Sequence, residues 1–170
     1  MAHKLLIVHP SHYRSKIDRT VYRVSRRPVV PLTLPYLAAL TPRDWQVRLV
    51  DEQLQGIDFD SPADLVAITA WTLNSLRAYD VAKEFRRRGR PVIMGGPHVY
   101  FYPEEAGDHC DAVGIGEGEV LWSRMLADAA GGRLQSVYRA EPLQDLAGLP
   151  MPRYDLLDLL SKLRDRVGRP

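Results

Sequence analysis

The sequence predicts an α/β fold, a doubly wound sheet of five parallel strands with helices on both faces. Short apolar runs alternate with stretches of helical periodicity, which is the pattern of strand–helix–strand units. The chain has 170 residues, enough for one domain with a full core and too few for two ordinary ones. Its 45% hydrophobic and 26% charged content is that of a soluble globular protein.

The elements follow in order. Lys4 to Val8 reads as a buried first strand, and a long polar segment from Pro10 to about Val29 comes after it. Thr33 and Pro35 read as the cap and first turn of a short helix through Leu40. Val47 to Val50 is the second strand and Leu65 to Thr69 the third. The next helix has the clearest pattern, with Asn74 or Ser75 as cap and Leu76, Tyr79, Ala82 and Phe85 as its buried stripe. Arg86 to Arg88 fill its last turn, and Gly89 ends it. Pro91 to Met94 forms the fourth strand, closed by Gly95-Gly96, and Ala112 to Ile115 the fifth. A last helix runs from about Gly118 to Ala130 with Trp122, Met125, Leu126 and Ala129 at helical spacing. This inventory fits the flavodoxin-like strand order 2-1-3-4-5, taken because that order is common. Residues 1–140 are assigned to this domain and residues 141–170 to a Pro/Gly-bearing linker and a C-terminal amphipathic helix, Asp155 to Val167.

Bulk properties narrow the function. A net charge of +2 is too small to indicate nucleic acid. Cys110 is the lone cysteine, so there is no internal disulfide framework and no cysteine set for zinc or an iron–sulfur cluster. A reducing cytoplasm is the expected location. No apolar run is long enough to span a membrane, and Leu5 to Val8 is too short for a signal-peptide core.

Ligands of open parallel sheets collect at the carboxyl ends of the strands. Four segments meet there: His9 to His12, Thr69 to Asn74, Gly95 to His98 and Gly116 to Glu119. They are rich in glycine and hydroxyls and poor in paired acids. A phosphoacceptor domain needs acids after the first and third strands and a lysine after the fifth, and these places hold histidine, threonine and glycine. Pro10 to Tyr13 lacks the hydroxyl-and-glycine loop of a flavin phosphate site. In Gly114-Ile115-Gly116-Glu117-Gly118-Glu119, Glu119 stands where a dinucleotide fingerprint needs its third glycine, and the segment follows the last strand. Cobalamin suits the residues present. Its long nucleotide tail needs a slot beside strand ends of little bulk, as Gly95-Gly96 would give, and Thr69, Thr72 and Asn74 offer polar contacts. Gly95-Gly96 also suits an ordinary strand-to-loop turn.

Several segments together resemble a known family. Pro31 to Leu40, Leu49-Val50-Asp51-Glu52, Ala67-Ile68-Thr69, Gly95-Gly96-Pro97-His98 and Gly114 to Glu119 are similar, in order and spacing, to cobalamin-binding domains of radical S-adenosylmethionine proteins. Leu149 to Asp155 resembles the family's linker into its catalytic barrel. The resemblance implies base-off cobalamin without a histidine ligand. It further implies an iron–sulfur cluster and S-adenosylmethionine in a barrel supplied by a full-length or partner protein. Many members transfer a methyl group from methylcobalamin to an unactivated carbon or phosphorus centre. The barrel's three-cysteine motif is missing here, so the chain alone is not expected to be catalytic. The Asp-x-His-x-x-Gly motif of cobalt-ligating relatives is also missing, since His9 and His12 lack the flanking aspartate and glycine.

The expected cofactor contacts are therefore Pro10 and Ser11 after the first strand, and Thr69, Ala70, Trp71, Thr72, Leu73 and Asn74 after the third. Gly95, Gly96, Pro97 and His98 follow the fourth strand, and Gly116, Glu117 and Gly118 the fifth. No metal ligand or catalytic residue is expected among them. Trp71 suits either a ligand face or the core beneath the helix. His98 suits a contact to the corrin or tail, or a structural hydrogen bond. Glu117 and Glu119 are explained by a helix N-terminus, and Arg86 to Arg90 by a solvated helix end. The basic segment Ser11 to Val30 could fold over the corrin, dock the barrel, steer an anionic substrate, or order only with a partner; nucleic acid is not expected. Against the enzyme module stand two other readings, a stand-alone cobalamin carrier or sensor and an interaction domain without cofactor.

Overall fold

A computed structural model describes residues 2–15, 17–25, 31–141, 145 and 147–157. Six parallel strands form one sheet in the order β2-β1-β3-β4-β5-β6. They are β1 (His3–His9), β2 (Trp45–Asp51), β3 (Leu65–Thr69), β4 (Val92–Gly95), β5 (Ala112–Ile115) and β6 (Val137–Arg139). The central strands are apolar at successive positions because both faces of a parallel sheet are covered. The flavodoxin-like order holds for the first five strands. The sixth extends the edge: it has three residues, only Tyr138 among them is buried, and so short a segment carries no readable period.

The helices are α1 (Thr33–Leu40), α2 (Ser75–Arg87), α3 (Pro97–Phe101), α4 (Pro103–Gly107) and α5 (Gly118–Ala130). Strand parity divides the core. Leu6, Val8, Val66, Ile68 and Met94 face α2 and the α3–α4 pair, among Tyr79, Phe85, Val99 and Ala106. Leu5, Ile7, Leu65, Ala67 and Ile93 face α1 and α5, among Leu34, Ala38, Trp122 and Leu126. Two single-turn helices, α3 and α4, begin at Pro97 and Pro103 and are too short to show helical periodicity.

Three local expectations are corrected. Leu76 is half exposed, and Ala78 and Val81 join Tyr79, Ala82 and Phe85 on the buried face of α2. Thr33 is the first helical residue, with Leu32 at the cap position and no side-chain cap bond. Asn74 does occupy the cap position of α2, yet its side chain caps nothing there because both ends of its amide are used elsewhere. Gly89 closes α2 at φ +71°, a conformation that favours glycine.

After β6 the chain returns to α1. The Arg153 amide donates to the Pro35 carbonyl at 2.8 Å, and Leu156 and Leu157 pack on the α1–α5 core. Tyr154–Leu156 forms one 3-10 turn, and the rest of the expected C-terminal helix, from residue 158, lies outside the described residues.

Candidate functional site

Strand alternation sets up a slot at the carboxyl edge of the sheet. Ala67 and Thr69 of β3, Gly95 of β4 and Gly114 of β5 share one face, the face covered by α1 and α5. Since all four are small, the helices stand off the sheet there and leave a cleft of about 310 Å³. Tyr36 and Leu37 of α1 form one wall, and Leu121, Trp122 and Met125 of α5 the other. The Trp122 indole N–H donates to the Thr41 hydroxyl at 2.8 Å, so the ring offers the slot only apolar surface.

Two polar atoms interrupt this lining. The Thr69 and Tyr36 hydroxyls are buried and make no hydrogen bond among the described residues. Burial, and then the nearby Glu119 carboxylate, hold the Tyr36 phenol above its usual pKa, so it stays protonated as a donor. Buried hydroxyls without partners are uncommon, and here they flank an open slot.

Glycine shapes the slot's mouth. Gly96 has φ +100°, and a Cβ there would lie 2.9 Å from both the Ala70 carbonyl and the Thr69 hydroxyl. Gly95 is different. A Cβ there would meet only the Gly114 carbonyl at 3.6 Å, an ordinary contact, and would project into the slot.

A second hollow of about 430 Å³ lies at the rim, between the segments that follow β1 and β3. His9, His12, Leu32, Gln53, Trp71, Leu73 and Asn74 line it. Trp71 is 53% exposed, so it projects from the strand end and does not close the core.

The expected site residues thus separate. Thr69, Gly95, Gly96, Gly116 and Gly118 line the slot, while Trp71, Leu73 and Asn74 line the rim. Ala70 is fully buried, with its amide bonded to Gly95 and its carbonyl to the His98 amide. Ser11 is fully buried, and its hydroxyl donates to the Tyr22 carbonyl at 2.5 Å. Pro10 offers its carbonyl to the Asn74 amide at 2.7 Å. Thr72, Pro97 and Glu117 are exposed at the same edge.

His98 is 3% exposed and is turned toward α2, where Nε2 lies 2.7 Å from the Tyr79 hydroxyl and Nδ1 3.3 Å from the Thr72 hydroxyl. Tyr79 donates to Glu105 at 2.9 Å, so it accepts from Nε2–H and Thr72 donates to Nδ1. Burial, followed by the Glu105 carboxylate, raises the Tyr79 pKa. Sequence reasoning missed Ala67, Gly114 and Tyr36 as slot residues, and it placed Glu119 in the segment after the fifth strand but explained it by a helix N-terminus. The period of two along β3 and β5 was the signal for Ala67 and Gly114, whereas Tyr36 carries none.

The segment after β1 is a small antiparallel hairpin. Tyr13 bridges Val21, His12 stacks on Tyr22 at 4.7 Å, and Arg19 and Tyr13 both reach Asp80 of α2. The arginines that end α2 are solvated and ion-paired, Arg87 and Arg88 with Glu84, Arg86 with Asp111, and Arg88 also with Asp60. No helix among the described residues is long and apolar enough to cross a membrane.

A doubly wound sheet with a slot beside its small-residue strand ends is a ligand-binding α/β domain. The chain belongs to the B12-binding domain family, whose model matches residues 19–124; it is a cobalamin-binding domain. It is 41% identical over 139 residues to bacteriochlorophyllide d C-8(2)-methyltransferase of Chlorobaculum tepidum, a match covering 81% of this chain and 31% of that protein. The C-12(1)-methyltransferase of the same organism is 34% identical over 128 residues, covering 74% of this chain and 28% of the relative. The chain therefore spans about a third of the length of these curated relatives. Among solved structures, its fold matches the radical S-adenosylmethionine methyltransferase TsrM of Kitasatospora setae, determined with cobalamin and a 4Fe–4S cluster bound. That match has a TM-score of 0.59 and 20% identity, over 88% of this chain and 28% of that one.

Proposed function

We propose that this chain is the cobalamin-binding module of a cobalamin-dependent radical S-adenosylmethionine methyltransferase, holding its cofactor base-off and without a histidine ligand. The observation that carries the reading is the slot itself, where Ala67, Thr69, Gly95 and Gly114 clear one side of the sheet and two buried hydroxyls make no hydrogen bond among the described residues. Such walls would hold a flat, mostly apolar base, and the Thr69 and Tyr36 hydroxyls would donate to its acceptor atoms. The rim made by His9, His12, Trp71, Leu73 and Asn74 then faces the corrin. Bound cobalamin supplies a cobalt centre that can take up and give up a methyl group.

This chain's own residues bind and orient. Trp71 and Leu73 offer exposed apolar surface at the rim, and Gly96 lets the backbone approach closely. The absence of a histidine ligand is supported by His98, whose two ring nitrogens are engaged on the α2 side. The methyl-transfer reading is supported by the names of the relatives, among them a hopanoid C-2 methylase of Rhodopseudomonas palustris at 26% identity over 150 residues. In this proposal residues 1–140 form the module, residues 141–170 lead toward the barrel, and the cluster and S-adenosylmethionine belong to that barrel in the same or a partner chain. The setting is the cytoplasm, with no nucleic-acid partner.

The test is incubation with hydroxocobalamin, gel filtration and a visible spectrum of the protein peak. A coloured peak with a base-off spectrum is expected, and a colourless one overturns the proposal.

A further inference from the structure

Glu52 is fully buried. It stands one residue beyond β2, where its amide donates to the His9 carbonyl at 3.0 Å. Its carboxylate accepts the Ser11 amide at 3.0 Å and the Arg77 Nε–H at 3.0 Å, and Arg77 Nη2 completes a two-pronged grip. The other side of the same peptide bond is also held, because the Pro10 carbonyl accepts from the Asn74 amide at 2.7 Å. Asn74 meanwhile takes the Trp71 amide at 2.7 Å on its own oxygen. The Pro10–Ser11 peptide is thus gripped from both sides. Asn74 occupies the cap position of α2 and Arg77 lies three residues on, so one helix start braces both jaws.

We propose that Glu52 is a positioning residue for the cofactor: with Arg77 and Asn74 it clamps the Pro10–Ser11 peptide and so fixes the corrin-facing rim. The inference rests on the cobalamin reading above. Burying a carboxylate–guanidinium pair stabilises a fold little, since desolvation offsets the attraction, and well-packed apolar side chains commonly serve as well. What a charged acceptor adds is short, stiff, directional bonds. Here they are directed at one peptide, which is the root of the hairpin carrying His12 and Tyr22. The clamp also ties the segment after β1 to the segment after β3, through Asn74 and Trp71. Both walls of the rim hollow are therefore set by one network, while no atom of that network lies in the slot.

The rim and the slot can be probed separately with cobalamin and with cobinamide, a corrinoid that lacks the nucleotide tail. Dissociation rates of both are measured by displacement and absorbance for the wild type, Glu52→Ala and Glu52→Gln. Glu52→Ala is expected to raise both rates by about tenfold, because the corrin contacts loosen whether or not a tail is present. Glu52→Gln restores an acceptor for the Ser11 amide and should recover most of the loss. Arg77→Lys keeps the charge but loses the fork, and should raise both rates about threefold even where Glu52→Ala does not fold. Amide exchange in the cofactor-free protein gives an independent readout, with faster exchange at Ser11 and Tyr22 and no change in β1 or β3. Unchanged rates for both corrinoids, or a loss confined to cobalamin, overturn the clamp while leaving the cobalamin reading intact. A wild type that binds neither corrinoid overturns both.

Discussion

The slot and the rim of this domain are built on opposite rules. In the slot, bulk is withdrawn and two hydroxyls are left open: Ala67, Gly95 and Gly114 open the space, and the Thr69 and Tyr36 hydroxyls make no hydrogen bond among the described residues. Behind the rim, polar groups are paired with one another. Glu52 holds the Ser11 amide and Arg77, Arg77 reaches the Tyr13 hydroxyl, and Asn74 holds Pro10 and Trp71. A region that is to enclose a ligand gains by leaving contacts for the ligand to make. A loop that stands at the edge without a covering helix must hold itself, and buried polar groups do so only when fully paired.

Gly95→Val separates the slot from the rim most strongly. The added methyls enter the slot, while the backbone contact at 3.6 Å remains ordinary. Cobalamin affinity should fall by about a hundredfold or more, with cobinamide binding and the melting temperature nearly unchanged. Equal loss for both corrinoids would show that the slot is not where the tail goes. Thr69→Val removes one unpaired hydroxyl at nearly constant volume. It should weaken cobalamin by about tenfold and again spare cobinamide, as titration of the two ligands will show.

His98→Ala tests the far side of the sheet, where the imidazole joins Thr72 to Tyr79. Stability should fall by about 1–3 kcal/mol in denaturant unfolding, and the spectrum of bound cobalamin should not move. A spectral change would make His98 a cobalt ligand. The smallest effect lies outside both regions. Arg87 and Arg88 hold the Glu84 carboxyl down at about 2, below its ordinary 4.5. That pairing contributes above pH 4.5 and is lost as the pH falls toward 2. Glu84→Gln should therefore narrow the acid dependence of the melting temperature slightly and leave corrinoid binding alone; a change in affinity would contradict the separation of site from helix end.

The central strands and the two long helices were legible because each is encoded locally. β3, β5 and α5 fall on the residues that the apolar runs and the helical spacing predict. The three-residue edge strand β6 and the single-turn helices α3 and α4 were not, since a single turn or a short edge strand shows no period. The site was legible in the same uneven way. Gly95, Gly96 and Thr69 stand at strand ends and could be read directly. Leu76 is misread because the buried face of α2 centres on Ser75, Ala78, Ala82 and Phe85, and helical geometry puts Leu76 on the far side of it.

By itself the sequence determined the alternation of strand and helix, the smallness of the strand ends, and the family to which those segments belong. These are properties of neighbouring residues, set by side-chain period and backbone sterics. Only the tertiary structure decided that the small residues of three strands share the α1–α5 face, that His98 turns away from it, and that Glu52 meets Arg77 across 25 positions. Those outcomes depend on which helix each crossover lays on which side of the sheet, and on which buried charges must then find each other.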